Sequence, residues 1–105
     1  MPTKLKQLAA LTLTSGGTAE ALSSTPIIVQ SVLIIAAAAN SGTVYVGDSD
    51  VTSTNGIPLA AEGHVRMTGP ALGKGGASDL DLAQIYWDGT TSDVITVSYL
   101  QSLTP

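Results

Sequence analysis

The sequence predicts an all-β protein: an antiparallel β-sandwich, jelly-roll-like, built from seven to eight short strands in a single domain over residues 1–105. Turn signals rich in Gly, Asn, Asp and Ser recur about every ten residues, a spacing typical of sandwiches and barrels. The segments between them are β-branched or alternate apolar with polar residues. The parallel α/β alternative would need helical crossovers between strands, and the pattern contains none.

The N-terminal segment, residues 4–14, predicts a half-buried strand, because leucines and alanine on one parity alternate with lysines and threonines on the other. The residues expected to face inward are Leu5, Ala9, Leu11 and Leu13. Residues 1–14 are also the best candidate for an extended arm or a strand exchanged with a neighbouring subunit. Residues 18–22 fit either a short strand or one helical turn.

The middle of the chain predicts a central strand followed by tight turns. Residues 26–35 are apolar on both faces and rich in Ile and Val. Asn40-Ser41-Gly42 predicts a turn that joins this strand to residues 43–46 as a hairpin. A short strand is expected near Val51, and Asn55-Gly56 predicts a reversal with positive φ angles.

Residues 62–68 alternate cleanly and predict a strand with Val65 and Met67 facing inward and His64 and Arg66 facing outward. A flexible loop is expected to follow over residues 69–78, where glycines are frequent.

The last two predicted strands, residues 80–87 and 94–100, flank a Gly-, Thr- and Asp-rich segment that predicts a hairpin loop over residues 88–93. The inner face of the final strand is expected to carry Ile95, Val97 and Tyr99. Pairing of these two strands would complete the sandwich.

The low charge content indicates a surface that contacts other proteins. Only 11% of the residues are charged, against roughly a quarter in ordinary soluble domains. Thr, Ser, Gly and Ala take their place, which favours a homo-oligomer, a dimer or trimer, or a larger assembly. The alternative is a monomer with a Thr/Ser-rich exterior. With a net charge of −4 and four cations, no basic patch exists, so we expect no nucleic-acid partner.

Membrane and processing signals are weak. The most apolar run, residues 26–39, is shorter than the roughly 20 residues of a membrane-spanning helix, and Gln30 and Ser31 interrupt it. The N-terminus alternates instead of forming a signal-peptide core, so we expect an unprocessed chain without a membrane partner. There is no cysteine, which excludes disulfides and thiolate metal sites.

Residues for catalysis are sparse, and we predict that the protein is not an enzyme. His64 is the only histidine and is expected on the outer face of a strand. Residues 69–75 superficially resemble a phosphate-binding loop but have the wrong glycine spacing. The pairs Asp48/Asp50 and Asp79/Asp81 are spaced as in the start of a calcium loop, but capping of their own turns is the better interpretation. No cofactor and no metal are expected.

Two adjacent aromatic residues, Tyr86 and Trp87, allow two interpretations. They could stack on a sugar ring, as exposed aromatics do in carbohydrate-binding sandwiches, or anchor a core or protein interface. The anchor interpretation, in the core or at an interface, is favoured over sugar stacking, because only tyrosines remain to build a stacking platform.

Three stretches resemble a widespread group of small virion proteins of tailed bacteriophages. They are residues 25–32 (TPIIVQSV), 39–51 (ANSGTVYVGDSDV) and 55–59 (NGIPL). The group ends with an Ile-Tyr strand, a Gly-containing turn and a terminal strand, similar to residues 85–89 and 94–100 here. At residues 60–63 the order Ala-Ala-Glu-Gly departs from the group's Pro-Gly-Glu turn.

The resemblance implies a non-enzymatic virion role, most commonly decoration or cementing of the capsid surface, with the major capsid protein or another virion protein as partner. Such a protein would be made in the host cytoplasm and located in the virion. A tail, baseplate or head-fibre accessory is the structural alternative, and a carbohydrate-binding module is the alternative of another class. The residues best suited to anchor a partner are Tyr45, His64, Arg66, Tyr86 and Trp87.

Overall fold

The computed structural model of the chain describes residues 3–8, 10–68 and 80–102. Within them, β-strands form two antiparallel sheets and a two-stranded ladder, so the predicted all-β, antiparallel, sandwich-like fold is confirmed. The strands are β1 (Thr3–Gln7), β2 (Leu11–Thr12), β3 (Glu20–Ala21), β4 (Ile28–Val29), β5 (Ser31–Ala36), β6 (Val44–Gly47), β7 (Ile57–Leu59), β8 (His64–Thr68), β9 (Leu80–Asp81), β10 (Tyr86–Asp88) and β11 (Val94–Ser102). Four of them have only two residues, which leaves seven longer strands. The jelly-roll connectivity stays a prediction.

Sheet A has the strand order β1-β11-β5-β8, and β2 also pairs with β11. Its centre is β5, where every second residue, Val32, Ile34 and Ala36, is buried. Their neighbours on β11 are Tyr99, Val97 and Ile95, in register and equally buried. The predicted inner face of the last strand is therefore confirmed.

Sheet B has the order β3-β10-β6-β7 and supplies the other half of the core. Its buried residues Val44, Val46, Leu59 and Trp87 belong to the same apolar cluster as the inner face of sheet A. Burying one such side chain contributes roughly 1.5–3 kcal/mol, so this shared layer is the main source of stability.

A short ladder, β4 with β9, closes one part of the sandwich, and the run that the sequence predicts as one strand over residues 26–35 is divided at Gln30. The backbone N–H of Gln30 donates to the carbonyl of Leu100, 2.8 Å away, at the junction. After β9, the chain forms one 3₁₀ turn over Leu82–Gln84, capped by the Asp81 carboxylate. Leu82 is fully buried beneath it.

Both predicted hairpins are wrong, because each pair of strands is divided between the two sheets. β5 lies in sheet A and β6 in sheet B, and likewise β11 lies in sheet A and β10 in sheet B. Turn-rich residues 40–42 and 89–93 therefore connect the layers instead of closing hairpins.

The two connections between the sheets, which we call crossings, are hydrogen-bonded to each other and to the start of β11. The Asn40 side chain accepts the backbone N–H of Val94 (2.7 Å) and donates to the carbonyl of the same residue (2.9 Å). The Asp93 carboxylate accepts the backbone N–H of Ser41 (3.0 Å) and of Thr90 (3.2 Å). The Asn40–Val94 and Ser41–Asp93 bonds join residues 54 and 52 positions apart, whereas the Thr90–Asp93 bond lies within one connection. The long-range bonds use polar groups that a hairpin turn would satisfy locally.

β1 pairs along β11, and its Leu5 side chain points to the face opposite to the one predicted. The five residues from Gln7 to Leu11 lie opposite the four from Ser98 to Ile95, so the N-terminal segment carries one extra residue, as in a β-bulge. Leu13 is buried as predicted, but Leu5 is 66% exposed. The parity predicted for Leu5 is therefore wrong, because the extra residue switches the face. Ala9 lies outside the described residues.

The connection between β6 and β7, residues 48–56, also differs from the prediction. Val51 is buried but is not in a strand. Neither Asn55 nor Gly56 has a positive φ. A Cβ on Gly56 would lie 2.6 Å from Val51 Cγ2 and 2.8 Å from Tyr45 Cβ, so glycine is required here by close packing.

The remaining sequence predictions have different outcomes. Residues 18–22 contain the short strand β3 and no helical turn. The strand predicted over residues 62–68 is confirmed by β8, whose Val65 and Met67 pack against the core. The predicted loop over residues 69–78 lies outside the described residues. Within this chain β1 and β2 pair with β11, and exchange of residues 1–14 between subunits stays a prediction.

Candidate functional site

The outer face of sheet A, the larger of the two sheets in the described residues, points away from the core and carries exposed and half-buried side chains. We call it the sheet A face. Alternation along the paired strands places on it Leu5, Gln7, Ser31, Leu33, Ile35, His64, Arg66, Thr68, Thr96, Ser98 and Leu100. All of them are exposed or half-buried.

The sheet A face has an apolar strip. Leu5 and Leu100 lie directly opposite each other on β1 and β11, and they are 66% and 38% exposed. Leu33 and Ile35 continue the strip along the central strand and are half-buried. A shallow groove of about 160 Å³ runs beside Leu5, Leu33 and Arg66. Four apolar side chains on one uncovered sheet surface are typical of a contact site for another macromolecule.

The polar part of the sheet A face has little charge. Arg66 is its one permanent charge among the described residues, and none of them on this face is acidic. His64 lies beside Ile35 on the neighbouring strand. The remaining polar groups are hydroxyls and one amide, which a partner can cover at a small desolvation cost compared with charges.

The five side chains predicted to anchor a partner lie in three different places. His64 and Arg66 are exposed on the sheet A face, as their alternation predicts. Tyr45 and Tyr86 are half-buried on the outer face of sheet B. Trp87 lies in the core. The structure therefore does not bring the five together into one site.

The assignment of Trp87 as an interface or sugar-stacking residue is wrong. The side chain is 1% exposed and belongs to the core cluster, because β10 directs it inward beside Val46. The indole fills the layer between the sheets, where its area contributes to folding. Tyr86, one residue before it, points to the opposite side of sheet B.

Two buried carboxylates organise the loops at one end of the sandwich. Asp93 is 2% exposed and bonds the backbone of Ser41 and Thr90, as described above. Asp88 is 5% exposed, and its Oδ1 accepts the backbone N–H of Gly17 (2.9 Å) and of Gly89 (2.8 Å). Gly17 has a φ of +88°, which glycine adopts without strain.

In each acidic pair considered for calcium binding, one carboxylate, that of Asp48 or Asp81, caps its own turn by accepting a backbone N–H. Asp48 Oδ1 accepts the backbone N–H of Asp50 (2.9 Å). Asp81 Oδ1 accepts that of Ala83 (2.9 Å) and that of Ile27 (3.2 Å). Residues 3–8, 10–68 and 80–102 contain no group of three or more acidic or histidine side chains placed to hold a metal ion. Asp79 lies outside these ranges.

Sequence reasoning missed the apolar strip. Leu5 was expected inside, and Leu100 was considered only as the end of a strand. The usable signal is the run over residues 31–36, which is apolar on both parities although only one side of a sheet faces this core. Such a run indicates either a second covering layer within the chain or a partner outside it.

Comparison of the chain with protein-family models, with curated proteins and with solved structures finds no match. No helix in the part of the chain that the structure describes is long and apolar enough to cross a membrane.

Proposed function

We propose that this protein is a structural component of a tailed-bacteriophage virion, a capsid decoration protein that binds the outer capsid surface through the sheet A face. The role is non-catalytic, and the partner is the major capsid protein. The single observation that carries the proposal is the apolar strip on a regular sheet surface that the described residues leave exposed or half-buried, formed by Leu5, Leu33, Ile35 and Leu100.

The surface composition supports a permanent protein neighbour. A chain with only 11% charged residues and an exposed apolar sheet face would associate in solution unless that face is covered. A sheet surface is rigid, so a partner gains contact area without ordering a mobile segment. These properties suit a protein that binds the same site many times on a shell.

The resemblance of residues 20–100 to small phage virion proteins supports the same role. A closed homo-oligomer, a dimer or trimer, would present several copies of the sheet A face together. Simultaneous binding of those copies strengthens attachment to the shell without any new contact.

The test is cosedimentation of the purified protein with mature capsids that lack it. We expect the wild-type protein to pellet with the capsids. Leu5→Asp and Leu100→Asp should each weaken binding about tenfold or more, because each places a charge in the contact centre. Gln84→Asp is the matched control, since it adds the same charge at an exposed position at the end of the 3₁₀ turn.

The outcomes distinguish an error in the proposed decoration role from an error in the proposed contact surface. If the wild-type protein binds capsids and the two leucine variants bind equally well, the sheet A face is not the contact surface. If the wild-type protein ignores capsids but pellets with tails, the decoration role is wrong and the protein is a tail accessory. Light scattering of the same samples gives the oligomer mass.

A further inference from the structure

A polar cavity of about 330 Å³ lies beside the outer face of sheet B, on the side of the sandwich away from the sheet A face. Tyr45 and Asp88, which pair directly across β6 and β10, form part of its wall. The hydroxyl side chains of Thr43, Ser53 and Thr90 line the remainder. Ligand sites span roughly 300–1,000 Å³, so this cavity suits a ligand of about one ring.

The Asp88 carboxylate is held in place by the backbone. Its Oδ1 accepts two N–H groups, from Gly17 and Gly89, and the residue is 95% buried. None of the described donors bonds Oδ2. Among the described residues, every fully buried side-chain oxygen has a hydrogen-bond partner. Oδ2 is therefore not fully buried and retains some exposed surface. Since Asp88 lines the cavity, Oδ2 is the acceptor that the cavity offers to a ligand.

The chemical groups that line the cavity indicate which class of ligand it binds. A fixed carboxylate oxygen disfavours anions and accepts strongly from hydroxyl groups. Threonine and serine hydroxyls both donate and accept, so they match a ligand that carries several hydroxyls of its own. The Tyr45 ring supplies an apolar surface for C–H groups. A metal ion would need further acidic or histidine ligands, which the described residues do not bring together.

We propose that this cavity binds one pyranose unit of a saccharide, with Asp88 Oδ2 accepting from ring hydroxyls and Tyr45 packing on the ring. The site goes beyond the proposed capsid role and uses none of its residues. Its chemistry is that of glycan recognition, but the residues differ from the Tyr86 and Trp87 pair that the sequence suggests. Trp87 is buried and cannot contact a ligand.

The experiment is saturation-transfer NMR with glucose, galactose, mannose, rhamnose and N-acetylglucosamine, each at millimolar concentration. Amide ¹H–¹⁵N spectra of the same samples locate the site. We expect saturation transfer to at least one sugar, with shifts at the amides of Gly17 and Gly89, whose N–H groups bond Asp88.

Two variants and a control test the assigned residues. Asp88→Asn keeps Oδ1 for the two backbone donors but replaces Oδ2 with an amide nitrogen, and should weaken binding about tenfold or more. Tyr45→Ala should weaken binding by a similar factor through loss of the ring. Tyr86→Ala is the control, because Tyr86 lies on the same face of sheet B but does not line the cavity. Unchanged amide spectra away from the site confirm that each variant folds.

The proposal is overturned if no sugar receives saturation, or if the shifts map away from the cavity. It is also overturned if Asp88→Asn binds as tightly as the wild-type protein. Calcium chloride added alone gives a separate test. If calcium shifts the Gly17 and Gly89 amides while no sugar does, the cavity is a cation site.

Discussion

The bond between the two sheet crossings can be tested by Asn40→Ala. The side chain makes two hydrogen bonds to the Val94 backbone, and each contributes about 1 kcal/mol net. The Val94 carbonyl keeps a second donor, the Ala37 N–H at 3.0 Å, but the Val94 N–H loses its partner. A stranded donor in a half-buried position adds to the loss, so we expect a decrease of about 2–3 kcal/mol in the free energy of unfolding.

Asn55→Ala is the matched control for this variant. Asn55 also makes two side-chain hydrogen bonds, to the Thr52 N–H (2.7 Å) and the Asp50 carbonyl (3.2 Å). These lie in an exposed loop, where water replaces them, so we expect a loss of less than about 1 kcal/mol. The two variants carry the same substitution and lose the same number of hydrogen bonds. A difference between their losses in the free energy of unfolding therefore reflects the position of the side chain.

Urea unfolding followed by the fluorescence of Trp87, the single tryptophan, measures both variants. For a slope of roughly 1–3 kcal/mol per molar, the Asn40→Ala midpoint should fall by about 0.7–3 M, with the slope unchanged. Equal losses for the two variants would refute the argument that this contact joins the sheets. So would a loss below about 0.5 kcal/mol for Asn40→Ala.

Two further substitutions test backbone and packing. Glu62 has a φ of 67°, so Glu62→Gly should raise the free energy of unfolding by about 0.5–1 kcal/mol; a lower melting temperature would contradict this expectation. Gly56→Ala should cost about 1–3 kcal/mol, because its Cβ would overlap Val51 and Tyr45, and a neutral result in the same melts would show that the loop yields easily. Gly17→Ala is its control: it is strained by φ alone, with nothing within 4 Å of the new methyl group, and should cost about 1 kcal/mol.

The parts of the fold that depend on local alternation could be predicted from the sequence. The strand around Val65 and Met67 and the inner face of the last strand both follow from a period of two. The same holds for the fold class, because closely spaced turn signals exclude helical crossovers. In these segments, local pattern and tertiary packing favour the same structure.

The connections could not be predicted, because their turn residues bond partners far away in the chain. Asn40 and Val94 are 54 positions apart, and nothing near Asn40 distinguishes a crossing between sheets from a hairpin. The sequence therefore identifies a turn but not the sheet in which the next strand lies.

The candidate sites were only partly predictable for related reasons. One extra residue between Gln7 and Leu11 reverses Leu5, and an insertion of this kind is visible only when the pairing with β11 is known. Asp88 and Tyr45 come together because β6 and β10 pair, a long-range pairing that the local turn signals do not indicate. Trp87 could not be assigned, because an aromatic side chain is equally suited to a core and to an interface.

The position of β11 makes the formation of sheet A depend on contacts between distant residues. This strand pairs with β1, β2 and β5, and the contact between Thr3 and Ser102 spans nearly the whole sequence. Sheet A therefore consists largely of contacts between distant residues, and a large loop must close before most of them form. Folding dominated by such contacts takes about milliseconds to seconds. During that time the Ile- and Val-rich β5 lacks its neighbour β11, so aggregation competes with folding most strongly at this stage.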